Sequence, residues 1–393
     1  MSIKSHLARA GKIALIAAIL TPSTAGAGWA EGTSADGADL IRNDQWHLTY
    51  LGASKAHEIS QGEGVIVAVP DTGIDPHPDL IKNLLPGIDI TPEGNRDGRR
   101  DSDGHGTILA GLIVAHGRGS TKGALGIAPK AKVVPIRVSL DSHQVSTDDL
   151  ARGIDYAVNQ GAKVISISIA AGPNIKLQQA IASALRADIV VVAGAGNRPQ
   201  EVPVAFPAAY PGVIAVGGID RLGSQAPISV TGPEIDVVAP AEEIHSTSID
   251  GKYSRSRGTS DATAIVAGAA ALVRAKYPYL PADEVAHRLT ATAIDKGPPG
   301  RDDQYGYGVI DLVAALTADV PPRGFESVPA TSPDAAGPTT AAADGPRAEG
   351  GGDGSATVRG WVTLGVLLAA GGVWALFARH RRRSDDPPPR ISR

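Results

Sequence analysis

The chain has 393 residues, 42% of them hydrophobic and 20% charged, an ordinary globular balance with length enough for a sizeable core. A net charge of −4 gives no reason to expect nucleic acid, and the absence of cysteine excludes disulfides and thiolate metal sites.

The opening stretch MSIKSHLARAGKIALIAAILTPSTAGAGWA carries Lys4, Arg9 and Lys12, then an apolar run over 13–20, then Ala25-Gly26-Ala27. That is the three-part layout of a secretory signal peptide, expected over residues 1–27, and its apolar run is too short to span a bilayer. A short extension, 28–43, precedes the folded domain, expected over 44–317.

From Val65 onward strand-like and helix-like runs alternate. VIVAVP is followed by the helical GTILAGLIVAHG, and KVVPIRV by TDDLARGIDYAVNQG, with Thr147 the expected N-cap and Asp148 in the first turn. KVISISIA precedes IKLQQAIASALRA, and DIVVVAGAG, VIAVGGI and IDVVAP come after. Continuous Val/Ile runs imply strands buried on both faces. The fold expected is therefore α/β, a doubly wound, mostly parallel sheet flanked by helices. Ligands of such folds bind beyond the carboxyl ends of the strands.

Residues 318–359 are rich in Pro, Ala, Gly and Ser, a composition that cannot bury enough surface to fold. As a flexible linker they span about 35 Å. A transmembrane helix is expected over 360–378, where the run 361–378 holds no charge and is about 27 Å long as a helix. The basic tail 379–393 starts RHRRR and belongs on the cytoplasmic side, which places the domain outside on a single anchor. A cell-wall sorting signal would need an LPxTG motif upstream, and none is present.

The stretch VIVAVPDTGID (65–75) ends a strand in an Asp-Thr-Gly turn. An aspartic protease would need a second such loop to share a proton, and the chain has none. Two further stretches bear on Asp71. DSDGHGTILAGLIVA places His105 at the start of an apolar helix, and SRGTSDATAIVAGAAALV places Ser260 at the positive end of another. Alone, His105 reads equally as a turn residue and Ser260 as an N-cap. Together with Asp71 they follow the order Asp, His, Ser found in subtilisin.

Over 44–317 the sequence resembles the subtilase family. Besides DTG, HGT and GTS, the matching blocks are GIAPKAKVVPIRV (126–138), VVVAGAGN (190–197), FPAAYPGVIAVGGID (206–220), IDVVAPAEEIHST (235–247) and YGYGVIDLVAAL (305–316). The resemblance implies a serine endopeptidase acting on polypeptides. Ser260 would be its nucleophile, His105 its general base and Asp71 the group that holds the imidazole. Asn197 matches the family's oxyanion donor. Ser168, Ile169 and Ala170 match the backbone that binds substrate as an added strand, with Ala170 replacing the usual glycine. The family implies no cofactor beyond structural calcium, for which Asp75, Asp79, Asp101 and Asp103 are candidates only in being acidic and near loops, a pattern that solvated surface charge also gives.

Three departures stand out. Pro70 lacks a backbone donor in a strand expected to be central. Asp261 sets a charge beside the nucleophile, where it would alter the His105 pKa or shape specificity. Ala264 occupies a position where many subtilases have proline.

The chain also looks like the mycosins, membrane-anchored subtilases that accompany type VII secretion systems. The features shared are DQWHLTYLGASKAHEISQGEGV before the catalytic strand, a pre-domain segment of only about 16 residues, and the linker, helix and basic tail. Mycosins commonly carry disulfides, which this chain lacks. A membrane secretion complex is thus an implied partner, and a structural role in it is the alternative to proteolysis, as is a general cell-surface subtilase. Dinucleotide binding fails for want of a G-x-G-x-x-G turn after the first strand.

Overall fold

The computed structural model describes residues 38–323, except 93, 95, 96, 143, 201 and 202. The expected signal peptide, most of the extension and linker, the 360–378 segment and the basic tail lie outside the described residues. Among the described residues no helix is long and apolar enough to cross a membrane.

Among the described residues three short helices come first: α1 (Ile41–Asp44), α2 (Trp46–Tyr50) and α3 (Ala53–Ile59). Then follow β1 (Ile66–Asp71), β2 (Ile88–Asp89), α4 (His105–Val114), β3 (His116–Arg118), β4 (Lys122–Leu125) and β5 (Lys132–Arg137). The middle holds α5 (Thr147–Asn159), β6 (Val164–Ile167), α6 (Ile175–Arg186), β7 (Val190–Gly194), β8 (Ile214–Ile219) and β9 (Val237–Pro240). A hairpin, β10 (Ile244–Thr247) and β11 (Tyr253–Ser256), leads into α7 (Thr259–Lys276), α8 (Ala282–Ala291) and α9 (Leu312–Thr317).

Seven strands form one sheet in the order β2-β5-β1-β6-β7-β8-β9, and every pair in it is parallel. The Val/Ile runs are buried almost throughout, which requires cover on both faces. Helix α5 packs on α6 and α4 on α7, each pair also touching the sheet. The expected α/β architecture is present.

Each helix has a local reason to form. In α5 the buried Leu150, Ala151, Ile154 and Ala157 recur at helical spacing, and Asp148 and Asp149 favour the first turn. The N-cap is Ser146, whose side chain accepts from Asp149 N, rather than Thr147. Thr147 is the first helical residue, and its hydroxyl accepts from Asn174 Nδ2 at 3.1 Å, which ties α5 to the start of α6. Helix α7 is buried all round from Thr259 to Arg274 apart from Ser260, as its run of Ala, Gly and Val dictates.

Pro70 is tolerated for a reason that the register supplies. Ile66 accepts from Lys163, beside β6, while Val65 and Asp71 accept from Lys132 and Val138 on the β5 side. By alternation the Pro70 nitrogen faces β6, and the β1–β6 ladder has already ended at Ala68. No ladder bond is lost.

The strand order reverses at β1: the chain lays β5 on one side of it and then β6 to β9 on the other. This is the topological switch point of a doubly wound sheet, and Asp71 sits at its carboxyl end.

The first helices grip the far side of the domain. Gln45 pairs with the Leu125 backbone in both directions, at 3.0 and 2.8 Å, and Trp46 Nε1 donates to Glu242 O at 3.1 Å. His47 beside them is fully buried, and neither ring nitrogen has a partner. Burial, with His245 nearby, pulls its pKa down to about 3. The unfolded chain takes up this proton near pH 6.5, the folded chain only near 3, so between those values stability rises with pH. The contribution is whole above about pH 6.5 and lost as the pH falls toward 3, and it reaches on the order of 5 kcal/mol. Urea unfolding at pH 7 and pH 4.5 should therefore show a smaller acid loss in His47→Leu than in the wild type.

Candidate active site

Asp71 ends β1 with no exposed surface, yet a carboxylate cannot be buried without partners. Its Oδ1 lies 2.7 Å from His105 Nδ1 and accepts from Thr72 N at 2.9 Å and Thr72 Oγ1 at 3.3 Å. His105 reaches it from the first turn of α4, which Gly106 lets approach closely. A Cβ at Gly106 would stand 2.0 Å from the Gly73 carbonyl oxygen, and the Gly106 N–H donates to Thr72 Oγ1 at 3.0 Å. Burial alone pulls the imidazole down, but the charge and hydrogen bond of Asp71, with Asp103 and Asp261, reverse this and raise its pKa to about 9. The protonated ring is thus favoured among three acids.

Two features hold this pair that the sequence reading missed. Asp101 accepts from Gly104 N, Asp103 N, Thr107 N and Thr107 Oγ1 at 2.7 to 3.1 Å, which fixes the loop delivering His105. Arg137, 1% exposed at the end of β5, donates to Thr72 O (3.2 Å), Asp89 Oδ2 (3.1 Å) and Ser102 Oγ (3.1 Å). One guanidinium therefore ties the Asp71 turn, β2 and the His105 loop together. A charged residue inside the apolar run KVVPIRV was the available signal.

Ser260 lies at the second position of α7. Its hydroxyl donates to Ser168 O and Ser168 Oγ donates to Ser260 O, both at 3.2 Å. Asn197, past the end of β7, accepts from Thr259 N at 2.9 Å through Oδ1, so its amide orientation is set against the start of α7. The fold thus gathers Asp71 with His105, and Ser260 with Ser168 and Asn197. Strand β6 stops at Ile167, short of the run to Ala170. Ile169 is buried and Ala170 exposed, and Ala171 N donates to Phe206 O at 2.8 Å.

The four acids offered for calcium are otherwise engaged. Asp79 is buried on Arg118, Ala124 N and Tyr253, Asp101 caps its own loop, Asp75 accepts from Asp250 N, and Asp103 from His105 N. Among the described residues no three His, Cys, Asp or Glu side chains converge on one point. Ala264 is buried within α7; unlike proline it keeps the N–H that a helix directs to the carbonyl four residues back, that of Ser260.

A family model described as "Subtilase family" matches residues 62–308. The chain belongs to the subtilase family. It is 36% identical over 272 residues to Subtilisin Savinase of Lederbergia lenta, covering 69% of this chain and 97% of that one. It is also 36% identical over 334 residues to Mycosin-1 of Mycobacterium tuberculosis, covering 70% and 74% of the two. Among solved structures, one titled as a serine protease MycP1, an essential component of the type VII (ESX-1) secretion system, aligns with a TM-score of 0.65 at 31% identity, over 74% of this chain and 93% of that one. This subtilase is therefore a serine protease of the mycosin type.

The subtilase site relies on Arg137 to join three segments. Arg137→Met leaves the buried Asp89 without its cation and should cost about 3–5 kcal/mol in urea unfolding. Adding Asp89→Asn in the same chain should recover much of that loss.

Proposed function

We propose that this subtilase is an extracytoplasmic endopeptidase, held at the membrane by the 360–378 segment, in which Asp71, His105 and Ser260 form the catalytic triad. The single observation that supports it most is the buried 2.7 Å contact between Asp71 Oδ1 and His105 Nδ1. That contact leaves the opposite ring nitrogen, Nε2, as the atom to exchange protons with the nucleophile.

A peptide strand would enter beside Ser168, Ile169 and Ala170, and the Ser260 hydroxyl would leave the Ser168 carbonyl to attack the scissile carbonyl carbon. His105 takes the hydroxyl proton as the C–O bond forms. Asp71 stabilises the imidazolium, while the Asn197 amide and the Ser260 N–H, at the positive end of α7, hold the oxyanion. Collapse breaks the C–N bond and the His105 proton goes to the leaving amine. Water then releases the acyl group by the same steps in reverse order.

A second reading has one observation in its favour: the solved relative MycP1 is described as an essential component of a type VII secretion system. On that reading the protein stabilises a secretion complex and its cleavage is secondary.

A fluorophosphonate probe should label the wild type and not Ser260→Ala. Failure of the wild type to label, alongside a subtilisin that does, sinks the peptidase reading. Ser260→Ala should lower kcat by about 10⁶, and Asn197→Ala by roughly 10²–10³. Secretion by a host carrying Ser260→Ala, compared with a deletion, separates the two readings: secretion that survives the substitution but not the deletion favours the structural role.

A further inference from the structure

A pocket of about 570 Å³ opens beside the nucleophile and has no part in the steps above. Its walls are the segments that follow β7, β8 and β9, together with Arg257 before α7. Arg198 is the next residue after Asn197, and Arg257 stands three residues before Ser260. Three residues of extended chain reach ~10 Å at most, so this rim lies within a few substrate residues of the bond to be cut.

The charges of the pocket are not equally free. Glu243 pairs with Arg221 at 3.1 Å and Arg255 at 3.7 Å, and Arg221 also lies over the Trp46 ring, 5.6 Å from its centre. Asp220 caps its own turn, accepting from Leu222 N and Ser224 N at 2.9 Å. Glu242 is half-buried and is held by the charge of Arg257 against Asp220 and Glu243, with no ion pair at contact distance among the described residues. Arg198 gives one side-chain bond, from Nη2 to Thr231 Oγ1 at 2.8 Å. Among the described residues nothing accepts a hydrogen bond from the Arg257 side chain. The uncommitted donors at this rim are therefore two exposed guanidinium groups. Leu222, 87% exposed, and Ile228 offer apolar surface beside them for the stem of an incoming side chain.

We propose that this pocket is a subsite for an acidic substrate residue on the leaving-amine side of the cut bond, with Arg257 and Arg198 as the specificity-determining residues. It rests on the peptidase reading for the position of the cut. Ser168 follows β6 and Asn197 follows β7, while the pocket is built after β8 and β9, so the strand order sets it on the far side of Asn197 from Ser168. A peptide laid along Ser168 to Ala170 and cut at Ser260 passes its second half over the pocket. A carboxylate there meets the forked N–H donors of a guanidinium, which a lysine or alanine side chain cannot use. A basic side chain would face three arginines and have Glu242 alone to receive it.

The test is digestion of a proteome-derived peptide library by the full-length protein, with the new N-termini read by mass spectrometry. Asp and Glu should be enriched about five-fold within the first three positions after the cut. Arg257→Gln should remove most of that enrichment, and Arg257→Gln with Arg198→Gln all of it. Glu242→Gln, which withdraws the acid competing for Arg257, should raise it. No acidic enrichment in the wild type, enrichment only before the cut, or enrichment in Lys and Arg overturns the proposal, as does an enrichment that both arginine substitutions leave unchanged. The same library is also passed over immobilised wild type and variants. Should the wild type cut nothing and take no fluorophosphonate, the peptidase reading falls and the retained peptides decide: an acidic bias that Arg257→Gln diminishes upholds the pocket, and its absence overturns it.

Discussion

A carboxylate sealed at the end of a central strand is the constraint from which the rest of this site follows. Asp71 has no exposed surface, and an isolated charge in such a place is prohibitive. Its cost is met locally by the Thr72 N–H and hydroxyl, and at long range by His105 at 2.7 Å. The imidazole must therefore arrive, and α4 must begin where it does. Gly106 lets that helix start against the Gly73 carbonyl, and Asp101 and Arg137 lock the loops on either side.

The sheet supplies the geometry. Reversal of strand order at β1 opens a crevice between the loops leaving β1 and β6. Into that crevice come the Asp71 turn from one side and Ser168 from the other, with the start of α7 bonded to Ser168 through Ser260. Because α7 is packed on every side with Ala, Gly and Val, it is a rigid mount for Ser260. Such a mount suits the role proposed for Ser260, since proton transfer from hydroxyl to imidazole tolerates little misplacement.

Charge is distributed with a bias that the apolar core does not require. Three acids raise the proton affinity of His105, and one of them, Asp261, lies on a helix that is buried on every side. Elsewhere buried polar groups are structural: Arg137 joins three segments, and Asp79 is satisfied by Arg118, Ala124 and Tyr253.

Much of this was legible before any coordinates. Strand runs rich in Val and Ile, turns marked by Asp-Thr-Gly, and a helix announced by small residues depend on near neighbours in the chain, so the sequence by itself determined the α/β class and the candidate residues Asp71, His105, Asn197 and Ser260. What only the tertiary structure decided depends on residues far apart in sequence. Pro70 is harmless because β6 ends its ladder at Ala68, and Ser146 caps α5 while Thr147 reaches Asn174. Asp101 ties down its own loop, and Arg137 and Asp261 turn inward. Local pattern says which residue types are present; whether a charge is solvated or buried is set by what folds against it, and that partner is written elsewhere in the chain.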